Sequence, residues 1–178
     1  MTLTVTTCPL SRWGHVSSTV GGVYYVCGGT TDLAGYIAPN NTCDSYSVVE
    51  RQWSVGRPML SDRHWAAGVE SFGEMYVLGG VGPGGNATDS VEVFEPKAGA
   101  WRNGRKMPRA LAGHCAVAMG DVIVVLGGQE QGRAVADTFM FNVTSMVWTK
   151  LADMPTPRRL HGCSGYLRSV FGTLNDRF

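Results

Sequence analysis

The sequence is poor in charge, and this scarcity excludes several classes of protein. Charged residues make up 16% of its 178 residues and leave a net charge of only +1, whereas globular domains typically carry about 25% charged residues. Disorder driven by an excess of like charge is therefore excluded. A nearly neutral chain also gives no electrostatic reason to expect nucleic acid or an anionic membrane surface as a partner.

Long hydrophobic runs, a signal peptide and paired cysteine motifs are missing as well. The longest aliphatic run, from Val122 to Leu126, has the length of a strand rather than of the ~20-residue helix that crosses a membrane. The N-terminal residues contain neither the basic nor the apolar segment of a signal peptide. The five cysteines are odd in number and form no C-x-x-C pair, so we expect reduced, mostly buried thiols and a cytoplasmic protein.

Glycine, with 24 residues, is in contrast abundant, and its spacing reveals an internal repeat of about 48 residues. Each period contains a pair of glycines after an apolar run, then an aromatic residue, and then a tryptophan seven residues later. The glycine pairs are Gly28-Gly29, Gly79-Gly80 and Gly127-Gly128. The aromatic residues are Tyr46, Phe94 and Phe141, and the tryptophans are Trp53, Trp101 and Trp148.

The third period shows how each unit divides into four short strands. A strand of small residues ends at Met119, and a Gly120-Asp121 turn leads into the apolar strand Val122 to Leu126, which ends at the glycine pair. After a polar loop, Gln129 to Ala136, come a third strand with the aromatic residue and a fourth with the tryptophan. Four antiparallel strands in about 48 residues is the size of one blade of a β-propeller.

These markers together resemble the kelch repeat. A Met-Pro or Pro-Met pair ahead of the next unit fits the same signature, at Pro58-Met59, Met107-Pro108 and Met154-Pro155. The resemblance covers residues ~8 to ~165 and implies an all-β fold, a kelch-type propeller segment with an incomplete ring. We expect blades over roughly 8–56, 57–104 and 105–152, and a partial fourth blade over 153–178.

The two ends of the chain depart from the kelch pattern. The spacing in the earlier units predicts a fourth diglycine at 174–176, where the sequence reads Leu174-Asn175-Asp176. A tryptophan ahead of the first unit is expected at 2–4, where the sequence reads Thr2-Leu3-Thr4. We therefore expect a segment of a larger propeller, with an open, apolar blade face at each side.

No catalytic, metal or cofactor site is predicted. The four histidines, His15, His64, His114 and His161, are 47 to 50 residues apart, so we interpret them as one structural position per blade rather than a cluster with ligand spacing. Cys115 directly follows His114, and adjacent strand residues point to opposite faces, so they form no nucleophile–base pair. The glycine-rich segment Gly82 to Asn86 lacks the Lys-Ser/Thr and the helix of a phosphate-binding loop.

The resemblance also implies where a partner would bind. In kelch propellers the loops after each diglycine and the connections between blades converge on one face, here called the diglycine face, which typically binds proteins. Arginine pairs well with carboxylates, so the arginines in these connections predict a basic surface and an acidic partner segment. The alternative is that some of them pair locally and are structural. The predicted positions are Arg12, Trp13, Arg57, Asp62, Arg63, Arg105, Arg109, Arg158 and Arg159.

The sequence thus predicts a non-catalytic module that recognises another protein, with no nucleic acid or membrane as partner. The resemblance admits the substrate-recognition part of a cullin-type ubiquitin ligase adaptor. Alternatives are an actin-binding kelch protein, an extracellular glycosylated kelch protein, and an enzyme on a galactose-oxidase-like propeller. The extracellular form is favoured only by sequons at Asn40, Asn86 and Asn142, and no Tyr/His/Cys cluster for a copper enzyme can be assembled.

Overall fold

The computed structural model describes residues 7–31, 38–166 and 169–172, and all regular elements in these ranges are β-strands. The first blade contains β1 (Val16–Val20), β2 (Val23–Cys27), β3 (Cys43–Ser47) and β4 (Gln52–Val55). The second contains β5 (Ala67–Ser71), β6 (Glu74–Leu78), β7 (Val91–Glu95) and β8 (Ala100–Asn103). No membrane-spanning helix occurs among the described residues.

The third unit is built in the same way and carries one additional hairpin. Its blade consists of β9 (Cys115–Met119), β10 (Val122–Leu126), β13 (Thr138–Asn142) and β14 (Val147–Lys150). The polar loop predicted after its diglycine contains the short paired strands β11 (Gln129–Glu130) and β12 (Arg133–Ala134). A fourth unit begins with β15 (Cys163–Tyr166) and β16 (Ser169–Gly172). The deviating positions 2–4 and 174–176 lie outside the described residues.

Each blade is an antiparallel meander whose strands pair in chain order. The first strands of successive units lie next to one another, because β1 contacts β5, β5 contacts β9, and β9 contacts β15. This order places the first strand of every blade innermost and the tryptophan-bearing strand outermost. The prediction of an all-β propeller segment with three complete blades and a partial fourth is confirmed.

The strand register brings both kinds of loop to the same end of each blade. In the first blade, Cys27 at the end of β2 pairs with Val16 at the start of β1 and with Cys43 at the start of β3. The end of β4 lies beside the start of β3, because Val55 pairs with Asp44. The diglycine loops and the connections between blades therefore share one face of the molecule, the diglycine face.

The core lies between the blades rather than within one of them. One cluster joins Val20 and Cys27 of the first blade to Met75, Val77 and Phe94 of the second. A second cluster joins the second and third blades in the same manner, through side chains of β6 and β7 on one side and of β10 and β13 on the other. The outer-strand tryptophans of the second and third blades pack against these two clusters. They fill the gap between neighbouring sheets, as expected for large flat side chains.

Replacing Trp101 by alanine is expected to lower the free energy of unfolding by about 3 kcal/mol, within the usual cost of removing a buried aromatic side chain. The ring packs on Phe94 at a centroid distance of 5.1 Å, and its indole N–H donates to the Arg57 carbonyl at 3.0 Å. Chemical denaturation measures the loss. The matched control is Trp53→Ala, because beside Trp53 lies the segment Thr7 to Arg12 rather than a sheet. Equal losses in both variants would contradict the packing assigned to Trp101.

The diglycines allow neighbouring units to approach each other closely. Gly79 has a φ of +58°, and a Cβ there would lie 2.4 Å from the Leu111 carbonyl oxygen of the next connection. The methyl group of Met107 and the ring of His114 would both lie 2.8 Å from the same Cβ. The methionine of the Met-Pro or Pro-Met pair therefore recurs because it packs on the bare Cα of the preceding diglycine, and His114 and His161 pack there as well.

Four of the five cysteines are paired, which corrects the expectation of reduced thiols. Cys27–Cys43 joins two directly opposite residues of β2 and β3. Cys115–Cys163 joins β9 to β15 and so links the third blade to the fourth unit. Cys8 is the free cysteine. The partners are 16 and 48 residues apart, and only the strand register and the packing of innermost strands bring them together.

Candidate functional site

The segment that leads into each innermost strand contains one residue with a left-handed backbone. These residues have φ values between 52° and 64° and are Gly14, Trp65, Gly113 and Leu160. The Trp65 N–H donates to the Gly14 carbonyl at 2.7 Å, and the Gly113 N–H donates to the Trp65 carbonyl at 2.8 Å. The Leu160 N–H donates in turn to the Gly113 carbonyl at 2.7 Å. This backbone ladder connects adjacent units around the axis and identifies equivalent positions in them.

The ladder shows that the four histidines are not equivalent, which corrects the sequence interpretation. His15, His114 and His161 directly follow the left-handed residue, whereas His64 precedes it. Burial, with a smaller effect of the nearby His161, lowers the pKa of His114 to about 4, so this ring stays neutral at physiological pH. Within the described ranges, no group of three or more His, Cys, Asp or Glu side chains is arranged to hold a metal ion.

The side chain of Arg63 is buried rather than exposed on the diglycine face, which favours the structural alternative for this residue. Its side chain is 1% exposed, and so is that of Glu92, with which it forms an ion pair at 2.5 Å. The guanidinium also donates to the carbonyls of Gly79 and Ser90, at 2.9 and 3.3 Å. It therefore binds the diglycine carbonyl and the start of β7 from inside the blade.

Arg12 does the same in the first blade, and an apolar pair takes this place in the third. The Arg12 guanidinium is 2.5 Å from Asp44 and donates to the Gly28 carbonyl at 3.0 Å. In the third unit, Leu111 occupies the position of Arg12 and Arg63, two residues ahead of the left-handed residue. Phe139, the second residue of β13, occupies the position of the acid. Both belong to one core cluster. The chain thus uses an ion pair twice and a hydrophobic pair once at equivalent positions.

Three further arginines of the predicted set bind other groups of the chain. Arg109 forms ion pairs with Glu130 and Asp137, and its hydrogen bond lowers the pKa of Glu130 below the ordinary value. Arg159 donates to the side-chain oxygen of Gln129 at 2.6 Å and to the Gly132 carbonyl at 3.0 Å. Arg158, which is half-buried, donates to a threonine hydroxyl. The guanidinium groups of these three arginines therefore use part of their hydrogen-bonding capacity within the chain.

Arg57 and Arg105 differ from the others because their side chains are exposed and make no hydrogen bond or ion pair with a described residue. They occupy equivalent positions, each two residues ahead of the buried methionine that packs on a diglycine. Only their backbone is engaged, because the two carbonyls accept the indole N–H of Trp101 and Trp148 at 3.0 and 3.3 Å. They therefore present two unpaired positive charges in successive connections of the diglycine face.

Aromatic rings form a cluster between the first and second blades on the same face. The ring centroids of Trp13 and Trp65 are 5.8 Å apart, and that of His64 lies 6.0 Å from Trp13 and 4.7 Å from Trp65. Trp13 is 39% exposed. Sequence reasoning found Trp13 but missed the other two. The available signal was that Trp65 stands where the first and third units carry glycine, in Trp13-Gly14-His15 and Ala112-Gly113-His114.

A groove of about 700 Å³ lies on the face of the third blade that is turned toward the fourth unit. Its lining includes Val124, Met140 and Met154. The corresponding side of the first blade is covered by the aromatic residue and tryptophan of the second. We therefore assign this groove to packing between blades rather than to a ligand. A second cavity of about 480 Å³ lies between the second and third diglycine loops and is lined by Asn86 and Glu130, among others.

Comparison with known proteins identifies the family. Residues 14–177 match the family model "KLHDC2/KLHL20/DRC7 Kelch-repeats domain". Mouse Kelch-like protein 35 is 28% identical over 166 residues, which are 90% of this chain and 27% of that protein. Human Kelch-like protein 34 is 29% identical over 189 residues, 96% of this chain and 29% of that protein. The chain thus spans less than a third of the length of these two relatives.

The structural comparison agrees in fold. The solved "Structure of YjhT" superposes with a TM-score of 0.77 and 18% sequence identity, covering 86% of this chain and 56% of that one. At this identity the likeness concerns the fold alone. Because the family model matches nearly the whole chain, and because three blades carry its diglycine and tryptophan markers, the chain belongs to the kelch-repeat family of β-propellers.

Proposed function

We propose that this chain is a non-catalytic protein-interaction module that binds an acidic segment of a partner protein across the diglycine face. The observation that carries the proposal is the pair of exposed, unpaired arginines, Arg57 and Arg105, at equivalent positions in successive connections. An exposed guanidinium without an internal carboxylate retains its full capacity for bidentate pairing with a partner carboxylate.

The burial of Arg12 and Arg63 narrows this proposal. Their charges are neutralised inside the blades by Asp44 and Glu92, and Arg109 is paired at the surface. The predicted basic surface therefore depends on fewer arginines than the sequence indicates, and they lie along the connections after the first and second blades.

Replacing Arg57 and Arg105 together by alanine is expected to weaken binding of an acidic peptide by roughly 1–3 kcal/mol, the usual scale for lost charged hydrogen bonds. The loss is expected to be larger at low salt, because ionic strength screens the attraction between exposed charges. Calorimetric titration with a glutamate-rich synthetic peptide at two salt concentrations measures both effects.

The matched control replaces Arg51 and Lys97, two exposed cations in turns at the opposite end of the blades. This control changes the net charge by the same amount and is expected to keep the affinity of the unmodified protein. Thermal melts of both variants test that the fold is intact. Equal affinity of the Arg57/Arg105 variant and the unmodified protein would contradict the proposed surface.

We extend this proposal to a cytoplasmic protein that serves as the substrate-recognition part of a cullin-type ubiquitin ligase adaptor. Membership of the kelch-repeat family and similarity to Kelch-like proteins support it. Immunoprecipitation of the endogenous full-length protein, followed by mass spectrometry, is expected to recover a cullin. Recovery of the protein at high coverage without any cullin would contradict this role.

The two disulfides favour a second candidate, an extracellular glycosylated kelch protein, because disulfides persist mainly in oxidising compartments. The sequon residue Asn86 is exposed in the second diglycine loop, as a glycan requires. Alkylation of free thiols before reduction, together with glycosidase treatment of the endogenous protein, separates the two candidates. Free thiols at Cys115 and Cys163 and no glycan would exclude the extracellular form.

A further inference from the structure

Trp65 combines a costly backbone conformation with a half-buried aromatic ring on the diglycine face. Its φ is +54°, in the left-handed region that side chains other than those of Gly, Asn and Asp rarely adopt. The equivalent residues of the first and third units, Gly14 and Gly113, are glycines, which adopt this conformation without strain. A tryptophan at this place is therefore not required by the backbone ladder.

Packing alone does not require a tryptophan there, because the side chain of Leu160 packs on Gly113 in the fourth unit in the same way. A Cβ on Gly14 would lie 2.8 Å from Cδ1 of Trp65, so the ring rests on the bare backbone of the preceding unit. On its other side it meets Trp13, which is itself 39% exposed. Residues held in this sparsely populated backbone region concentrate at functional sites.

The accessible part of the cluster is its indole rings, because His64 is only 5% exposed. Its members are two indole rings and His64, whose pKa is lowered by burial, so that the imidazole is neutral at physiological pH. Tryptophan is enriched at the centres of protein interfaces, where its large rigid surface is desolvated on binding. Two unpaired cations of the diglycine face, Arg57 and Arg105, belong to the connections on either side of the second blade.

We propose that the cluster Trp13, His64 and Trp65 is the anchor site of the diglycine face and receives an apolar side chain of the acidic partner segment. This inference rests on the proposed function and adds an apolar contact to the charged contacts proposed there. The arginines attract the carboxylates of the segment, and the aromatic cluster desolvates one apolar residue within it.

The structure offers a variant that removes the ring and keeps the backbone, Trp65→Gly, because the first and third units already carry glycine there. The matched control is Leu160→Gly, which makes the same backbone change at the equivalent position of the fourth unit. A thermal melt checks the fold of each. If Trp65→Gly fails to fold, Trp13→Ala removes the exposed half of the cluster instead.

The probe is a displayed library of random short peptides, selected on the full chain and then measured individually by fluorescence anisotropy at low and high salt. We expect enriched peptides to be acidic and to contain a large apolar residue. Trp65→Gly is expected to weaken their binding about tenfold or more without changing its salt dependence, whereas Leu160→Gly leaves the affinity unchanged. The Arg57/Arg105 variant is expected to reduce the salt dependence.

Each of the other possible outcomes contradicts the anchor site, the acidic partner or both. Acidic peptides whose affinity Trp65→Gly leaves unchanged, or that Leu160→Gly weakens equally, would overturn the anchor site and leave the proposed function intact. Apolar peptides without acidic residues that lose affinity with Trp65→Gly would support the anchor site and contradict the acidic partner. A library without enriched peptides, or with enriched peptides that none of these variants affects, would contradict both.

Discussion

Replacing Arg63 by alanine is expected to lower the free energy of unfolding by about 3–5 kcal/mol, the usual cost of leaving one member of a buried ion pair without its partner. The Glu92 carboxylate would remain buried at 1% exposure, and the Gly79 carbonyl would lose a hydrogen bond. Chemical denaturation measures the change. This expectation replaces a role in partner binding, because a side chain with 1% exposure offers a partner almost no surface.

A double variant shows whether the loss arises from the unpaired charge. Arg63→Leu combined with Glu92→Phe introduces the pair that the third unit uses, Leu111 with Phe139. Buried ion pairs replaced by well-packed apolar side chains often lose no stability, so the double variant is expected to recover most of the loss. If it is as unstable as Arg63→Ala, the two kinds of pair are not interchangeable.

Gly79→Ala is expected to lower the free energy of unfolding by about 3–5 kcal/mol. About 1–2 kcal/mol comes from the left-handed backbone, and the remainder comes from forcing a methyl group against the Leu111 carbonyl oxygen, 2.4 Å away. Gly21→Ala is the matched control, because Gly21 has the same φ of +58° but no atom within 4 Å of the added Cβ. It is expected to lose only the backbone part.

The difference between the two glycine variants isolates the contact between units. Denaturation of both variants under the same conditions gives it directly. Equal losses would mean that the diglycine is required only for its backbone conformation. In that case the close approach of the second blade to the next connection would contribute nothing to stability.

The sequence was sufficient to predict the blades because their markers follow from local rules. Alternating strands, tight turns and a tryptophan between sheets recur at one period, and each can be recognised without knowing its neighbours in space. Local rules do not show, however, that the side chain of Arg57 is exposed and that of Arg63 is buried. Both precede an innermost strand, but only Arg63 has a carboxylate opposite it, on Glu92, which lies 29 residues further along the chain.

Three units in one chain nevertheless contained that information. The first two units have an arginine ahead of the innermost strand and an acid in the third strand of the blade, Asp44 or Glu92. The third unit has Leu111 and Phe139 at these two positions. Reading the units against one another would have paired these positions. The same comparison shows that His64 is shifted, because His64 directly follows Arg63 whereas His15 is three residues after Arg12. The backbone ladder gives the same alignment.

The division of contacts between and within blades has a consequence for how such a chain evolves. The polar pairs that close a blade, such as Arg12 with Asp44, have both members in one repeat. Contacts between blades include backbone hydrogen bonds that do not depend on side-chain identity, such as the Gly113 N–H donating to the Trp65 carbonyl. Duplication of one repeat therefore copies both members of the polar pair within its blade. The new blade can then pack against its neighbours without matching polar side chains on them. Repeats can be gained, lost or exchanged by recombination, and an ion pair in one can drift to an apolar pair in another without a compensating mutation elsewhere.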